Sequence, residues 1–525
     1  MKKRVYIWVF IPVWFLFFPA RGMSQEACPF GFTAHIQSGE EHDRMPKNLQ
    51  MMRDAGARWV RTDFSWGGVE SPQGNWHFEH LDRVVEETGK QGIQVLALLL
   101  YNVAWANPAY QHLDAWLTYV EKTVMRYKDK VRYWEIWNEP NLFWDKMGGN
   151  AAEYAVLLEA TYKKIKEIDP DLVVLHAGLC GIPMEYAEKV FETGAGKYFD
   201  RFCIHPYRPL LQTMEETVRY HDDLAGLRTL MAKYKVDKKS IWITEMGYTS
   251  MVRINVADRD AFHEAKSRSG KAWRVAVVSD DDFPVDPAFA EQTVRSFFPE
   301  GTSLEFITFF ELKRMSRNSY DAVFFPPSEN LPLHISQLIA QPLVHYLGSG
   351  GRVYYYTKEG KMYYYDDMVA KERSQAVFLG QTMLLSLRFG IERYICYEFS
   401  SPERNIFDRE DNFGVVRREL EPKPAYYAYA TVGKLFSEGS VMDMSVDWNR
   451  KDFCVVSWTQ QNGTRVWAIW SPEGVRRVNV KIGKGLQQTL NGLGEVISTV
   501  TAASETLEIN AEITYLVGPA TLDIQ

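Results

Sequence analysis

Cysteine is scarce and scattered. Five cysteines in 525 residues, at positions 28, 180, 203, 396 and 454, form no close pairs. That excludes a disulfide framework and a zinc-binding spacing, and reads as buried free thiols. An excess of one charge is also missing. Sixty Lys and Arg stand against 67 Asp and Glu, a net charge of −7, so no nucleic-acid partner is expected. After Phe18 no apolar run approaches the ~20 residues of a membrane span. No Gly-rich phosphate loop follows the apolar run Ala272–Ser279, which argues against nucleotide binding there. Aromatic residues, by contrast, are abundant: 16 Trp, 28 Tyr and 29 Phe. Flat rings stack on the C–H faces of sugars, although core packing accounts for most of them.

The N-terminus points outward. Lys2-Lys3-Arg4 precedes an apolar run from Val5 to Phe18, with small residues at Gly22 and Ser24. This is the pattern of a cleaved secretory signal peptide over 1–24, and the expected location is secreted or periplasmic. A membrane anchor is the weaker alternative.

From Phe30 short apolar runs alternate with longer amphipathic stretches. The runs are Gly31–Ile36, Ala57–Phe64, Ile93–Leu99, Val131–Trp137, Leu172–Gly178, Arg201–Pro206 and Ile241–Tyr248. Helix-like segments such as 44–55, 81–91, 115–127, 151–168 and 215–234 separate them. Strands joined by helices imply a parallel sheet covered on both faces. The rhythm breaks after Tyr248. Arg253–Ser269 is highly charged and reads as a loop or linker, and 270–368 reads as a small α/β unit of its own. The rhythm resumes with a helix over 374–387, an eighth strand at Ile391–Phe399 and a closing helix at 425–436. Without the insert, eight strand–helix pairs remain, which predicts a (β/α)8 barrel over 28–252 and 372–438. From 441 to 525 short strands with Gly and Asn turns predict a small β-sandwich. Its Trp448, Trp458, Trp467 and Trp470 read as core, and Asn462-Gly-Thr464 as a turn.

Two strands end in chemistry. Trp134-Glu-Ile-Trp-Asn-Glu-Pro-Asn141 closes the fourth strand on Glu139. Ile241-Trp-Ile-Thr-Glu-Met-Gly-Tyr248 carries Glu245 at the end of the seventh. Barrel enzymes keep their chemistry on that rim. Glycoside hydrolysis needs two carboxylates, one to protonate the leaving oxygen and one to attack or to activate water.

Trp137-Asn138-Glu139-Pro140-Asn141 resembles the acid/base motif of glycoside hydrolase clan A, the retaining (β/α)8 glycosidases. Ile243–Tyr248 resembles the clan's nucleophile strand. Phe64–Glu70, with Gly74–Phe78 and Leu81-Asp82, is similar to its segment after the second strand. The likeness is strongest to family 39, with its β-xylosidases and polysaccharide hydrolases. The resemblance implies Glu139 as general acid/base and Glu245 as nucleophile, with burial and the neighbouring carboxylate keeping Glu139 protonated. It implies Asn138 on the sugar 2-hydroxyl, Arg61 beside the nucleophile, and His205 with Tyr207 near the nucleophile. His35 is a weaker candidate. Trp66, Trp105, Trp144 and Tyr248 are stacking candidates. Where many clan members place a Trp on the eighth strand this chain has Tyr397 and Phe399, either of which could replace it.

Ala276–Asp282, Tyr320–Pro327 and Leu347–Val353 resemble the class I glutamine-amidotransferase-like fold. That chemistry needs a cysteine nucleophile, and none lies between 252 and 385. The resemblance implies a homo-oligomer contact or a cleft wall instead. The expected activity is thus retaining hydrolysis of β-linked oligo- or polysaccharides, with no metal and no cofactor. A catalytically silent glycan-binding protein and a transglycosylase are the rivals.

Overall fold

The computed structural model describes residues 28–142, 150–256 and 272–524, apart from 280, 282–283, 299, 313–314, 316–317, 327–339, 358–359, 484, 486, 499–503 and 519–520. The segment 1–24 therefore lies outside the described residues, as does Trp144. No helix among the described residues is long and apolar enough to cross a membrane.

Strands β1 (Phe30–Thr33), β2 (Trp59–Asp63), β3 (Gln94–Leu99), β4 (Tyr133–Asn138), β5 (Val173–Cys180), β6 (Phe202–His205) and β7 (Ile241–Met246) run in chain order. Next come β8 (Ile254–Val256), β9 (Arg274–Val278), β10 (Ser303–Ile307), β11 (Ala322–Phe325), β12 (Arg352–Tyr356) and β13 (Met362–Tyr365), which build a separate sheet in the order β10-β9-β11-β12-β13-β8. Strand β14 (Arg393–Cys396) returns to the first set and closes an eight-stranded parallel barrel, β1-β14-β7-β6-β5-β4-β3-β2. The expected (β/α)8 barrel is present. Beyond the helix Pro424–Leu435 lie a seven-stranded sheet and a three-stranded sheet that share an apolar core.

Helix starts are written locally. Asn150 caps Ala151–Ile168 through the N–H groups of Ala152 and Glu153. Thr213 and Glu216 form a reciprocal capping box at Met214–Lys233. Asp367 caps Met368–Arg388, the long helix that leads back into the barrel.

The charged stretch after Arg253 differs from the expected linker. Ile254–Val256 pairs with Tyr363–Tyr365 as the edge strand of the inserted sheet. Three residues, Ile-Asn-Val beside a charged stretch, are too few to announce a strand, and pairing with β13 makes them one. Strands β9, β10, β11 and β12 are mutually parallel, while β13 and β8 are antiparallel additions.

Side chains alternate along a strand, so every second residue enters the barrel. The lower interior is apolar: Trp59, Leu96, Leu175, Cys203, Trp242 and Ile395 pack together there. The Trp59 and Trp242 rings meet edge to face at 5.3 Å. Two residues further up the same strands stand Arg61, His205, Thr244 and Tyr397, and above Arg61 stands Asp63. A dry floor thus carries a polar layer, and the strand ends carry the rim.

Candidate active site

Arg61 organises the polar layer. It is buried, and its guanidinium spreads over three acceptors: Nε to Glu135 at 2.6 Å, one terminal nitrogen to Glu245 at 2.5 Å and the other to Asn138 Oδ1 at 2.8 Å. Burial alone would lower its pKa, but Glu135 and Glu245 raise it well above the ordinary value. A planar five-donor group suits this place, where a lysine would reach one acceptor. Because arginine only donates, Asn138 must turn its oxygen to it, which leaves the amide nitrogen facing elsewhere.

Glu139 leaves β4 through an irregular backbone. Trp137 has φ 72° and Glu139 φ 46°, left-handed values that few non-glycine residues adopt. The strained turn is tied to β5. The Glu139 N–H donates to the Gly178 carbonyl at 2.9 Å, and the Asn141 side chain both donates to the Cys180 carbonyl and accepts from its N–H. The last residue of the motif is therefore a clamp that holds the carboxylate at the rim.

His205 Nδ1 lies 2.8 Å from Glu139 Oε1 and 3.6 Å from Glu245 Oε2. The histidine expected near the nucleophile is thus bonded to the other carboxylate. Tyr207 takes the expected position, its hydroxyl donating to Glu245 Oε2 at 3.1 Å. One oxygen of Glu139, one of Glu245 and a His205 nitrogen lie within 4.8 Å of one another. Such a trio could ligate a cation, but Arg61 already sits on Glu245, and its charge opposes a metal there.

The expected protonation of Glu139 by burial and a neighbouring carboxylate needs correction. Burial does raise its pKa, but the His205 hydrogen bond and charge, with Arg61 beyond, bring the net value below the ordinary carboxylate range. The contacts therefore favour the carboxylate form of Glu139, with His205 Nδ1 as its nearest partner.

The other predicted residues divide. Tyr397, on the chain leaving β14, meets Tyr207 edge to face at 6.3 Å and His35 at 6.4 Å, so it faces the rim. Phe399 is buried against Phe32 at 5.4 Å and belongs to the core. His35 lies between Asp63, at 3.8 Å, and Glu398, at 3.6 Å. Burial opposes its charge, yet Asp63 and then Glu398 raise its pKa to about 10.

Trp66 is no stacking platform. It is fully buried, stacks on Tyr119 at 5.7 Å and donates to Glu70 at 2.8 Å. Glu70 also accepts from the Gly74 N–H, so the Trp–Glu–Gly pattern is an internal brace. Trp105 packs edge to face on Trp66 at 5.2 Å. Tyr248 packs on Phe378, at 5.2 Å, and joins none of the contacts around the carboxylates.

Sequence reasoning missed Glu135, Thr244, Asp63 and Glu398. Glu135 is wholly buried and accepts from Arg61, from the Gly178 N–H at 2.9 Å and from the Thr244 hydroxyl at 3.0 Å. An acid inside the apolar run Tyr133–Trp137 was the available signal. Glu398 is buried to 3% exposure, and burial, relieved by His35, drives its pKa well upward.

Comparison with known proteins agrees with this geometry. Residues 23–280 match the family model described as Cellulase (glycosyl hydrolase family 5). No curated protein matches the chain. Among solved structures, a family 39 glycoside hydrolase from the gut symbiont Bacteroides cellulosilyticus WH2 superposes with TM-score 0.62 at 18% identity, covering 94% of this chain and 81% of that one. A GH30 endoxylanase from Clostridium papyrosolvens C71 gives TM-score 0.53 at 12% identity, over 95% and 98% of the two chains. A GH39 β-xylosidase from Caulobacter crescentus gives 0.52 at 11% identity, over 95% and 97%. The family match and the shared fold define the class: a clan A (β/α)8 glycoside hydrolase, whose substrate is a carbohydrate. Within that class the sequence match is to family 5 and the fold neighbours lie in families 39 and 30.

Proposed function

We propose that the protein is an exported retaining β-glycosidase in which Glu245 attacks the anomeric carbon and Glu139 serves as acid and then base. One observation carries the reading: carboxylate oxygens of Glu139 and Glu245 lie within 4.8 Å of each other at one barrel rim. Retaining enzymes hold their carboxyl groups about 5–5.5 Å apart, whereas inverting enzymes leave about 6.5–9.5 Å for a water.

In the first step a Glu245 oxygen bonds the anomeric carbon while the glycosidic C–O bond breaks and Glu139 gives its proton to the leaving oxygen. In the second, Glu139 takes a proton from water, the water oxygen bonds the anomeric carbon, and Glu245 departs. Arg61 and Tyr207 stabilise Glu245 as an anion before attack and as a leaving group afterwards. The Asn138 amide nitrogen, turned away from Arg61, is the donor for the sugar 2-hydroxyl. Tyr397 supplies an aromatic surface where many clan members have Trp.

The relatives named above include a β-xylosidase and an endoxylanase, so β-xylosides head the substrate panel. Export rests on Lys2–Arg4 and the apolar run Val5–Phe18. Self-association through the inserted unit is supported by Phe306, exposed on its outermost strand.

The test is an aryl-glycoside and polysaccharide panel with wild type and Glu245→Ala, followed by NMR of the first-formed anomer. Turnover by wild type with retained configuration is expected. An inverted product refutes the two-step mechanism. Equal inertness of both proteins, with tight binding of one glycan, would make the protein a glycan-binding one.

A further inference from the structure

The hydrogen bonds behind His205 run in one direction only. Glu135, bonded to the Arg61 guanidinium, acts purely as an acceptor. The Thr244 hydroxyl, 3.0 Å from Glu135 Oε1, must therefore spend its one proton there. Its oxygen is also 3.0 Å from His205 Nε2, and with its proton committed it can only accept. So Nε2 carries hydrogen, and Nδ1, 2.8 Å from Glu139, is the nitrogen whose protonation varies.

The ring cannot turn to escape this assignment. Gly178 packs directly beneath it: a Cβ there would lie 1.9 Å from His205 Nε2 and 2.6 Å from Thr244 Oγ1. Glycine is required by close approach, and the same residue donates its N–H to Glu135 and accepts from Glu139.

We infer that Glu135 and Thr244 are positioning residues that lock the Nε2–H tautomer of His205, so that His205 Nδ1 and Glu139 together hold one mobile proton for both catalytic steps. The inference rests on Glu139 being the acid/base.

With the proton present, the pair exists as Glu139 carboxylic acid facing a bare Nδ1, or as carboxylate facing Nδ1–H. When Glu139 delivers the proton to the leaving oxygen, a carboxylate is left facing the Nδ1 lone pair at hydrogen-bond distance. That arrangement is unfavourable, and it makes the pair a stronger base toward the water of the second step. A switch to the Nδ1–H tautomer would relieve it, but would break the bond to Thr244. The other charged or titratable groups facing the pair are Cys180, hydrogen-bonded to Glu139, then Glu245, Arg61, Tyr207 and Tyr101, with Glu410 and Arg409 beyond. Thr244→Val leaves all of them in place.

The experiment combines pH profiles of kcat/KM, on an aryl glycoside with a poor leaving group, with 15N NMR of histidine-labelled full-length protein. In Thr244→Val the tautomer switch costs nothing, so the pair gives up its proton more readily. The alkaline limb moves down by about one pH unit, the worth of one hydrogen bond, and Thr244→Ser restores the wild-type limb. In wild type His205 reports the Nε2–H tautomer. A neutral wild-type ring that carries hydrogen on Nδ1 and none on Nε2 overturns the inference, as does a Thr244→Val profile that only scales down without shifting. Should Thr244→Val fail to fold, the wild-type tautomer and the Thr244→Ser profile still decide. The NMR signal needs no turnover, so a failed tautomer assignment is distinguishable from an inactive protein.

Discussion

Replacing Arg61 by methionine tests the polar layer most severely. Methionine fills similar space but leaves Glu135 fully buried with one oxygen stripped of its partner, and Glu245 held by the Tyr207 hydroxyl with His205 3.6 Å away. At an effective dielectric of about 20, each charge pair near 4 Å is worth about 4 kcal/mol before desolvation. Removing one member of a buried pair costs about 3–5 kcal/mol, because the survivor stays desolvated. Glu135 retains the Gly178 N–H and Thr244 hydroxyl, which favours the lower end. At ~2 °C per kcal/mol for a domain of this size, the barrel transition falls by about 6–8 °C. Losing the guanidinium also removes the 2.5 Å partner of the Glu245 carboxylate, so kcat/KM falls. Arg61→Met combined with Glu135→Gln removes the orphaned charge and recovers part of the melting temperature, but not the activity. Calorimetry and steady-state kinetics on the three proteins read these effects. A single variant that melts within 2 °C of wild type and keeps its kcat/KM would refute the account of Arg61 as the shared counter-ion.

Other outcomes follow from the same contacts. Glu139→Ala should retain turnover of aryl glycosides with very good leaving groups and give a glycosyl azide of retained configuration with added azide, whereas Glu245→Ala should lose turnover without azide and give only inverted glycosyl azide with it; NMR of the azide product separates the two. Trp66→Ala should cost about 3–5 kcal/mol, as for a fully buried Trp, in a denaturant titration, with KM of the folded fraction unchanged; a raised KM at unchanged stability would return Trp66 to the sugar. Gly178→Ala should abolish activity through displacement of His205 while the secondary structure persists, read by circular dichroism beside an assay. His35, with a folded pKa near 10 above an unfolded value near 6.5, contributes stability that is complete below pH ~6.5 and lost as the pH rises through 10. The stability gap between wild type and His35→Asn should accordingly narrow from pH 6 to pH 10, and a constant gap would contradict the ion cluster.

The two rim glutamates were legible because polar residues end an apolar run abruptly, and the barrel because its strands and helices alternate in length and pattern. Side-chain direction was not legible. Trp66 lies in a segment that resembles the clan pattern, yet its ring points into the core, where Glu70 takes its N–H. Glu135 and Thr244 sit beside the recognised positions, and their importance depends on which strands become neighbours: β4 lies beside β5, and β7 beside β6. His205 does lie near Glu245, at 3.6 Å, but its closer bond to Glu139, at 2.8 Å, was hidden for the same reason. Strand β8 escaped notice because its pairing partner lies about 110 residues further along the chain.

That strand carries a lesson for anyone wishing to remove the inserted unit. Ile254–Val256 follows Glu245 closely, and the chain between is stitched to the loop after β14 by the bonds of the Ser250 N–H to Asn412 and the Val252 N–H to Ile406. A deletion starting at 270 would leave β8 as an unpartnered strand hanging from the nucleophile strand, whereas loss of the core shared by Val252 and Ile406 with the insert follows from any excision. A cut made before Ile254 and rejoined at Asp367 would spare both the seam and the cap of the returning helix. The boundary of the insert is set by strand pairing, so a shorter excision would disturb the rim even though it removes no rim residue.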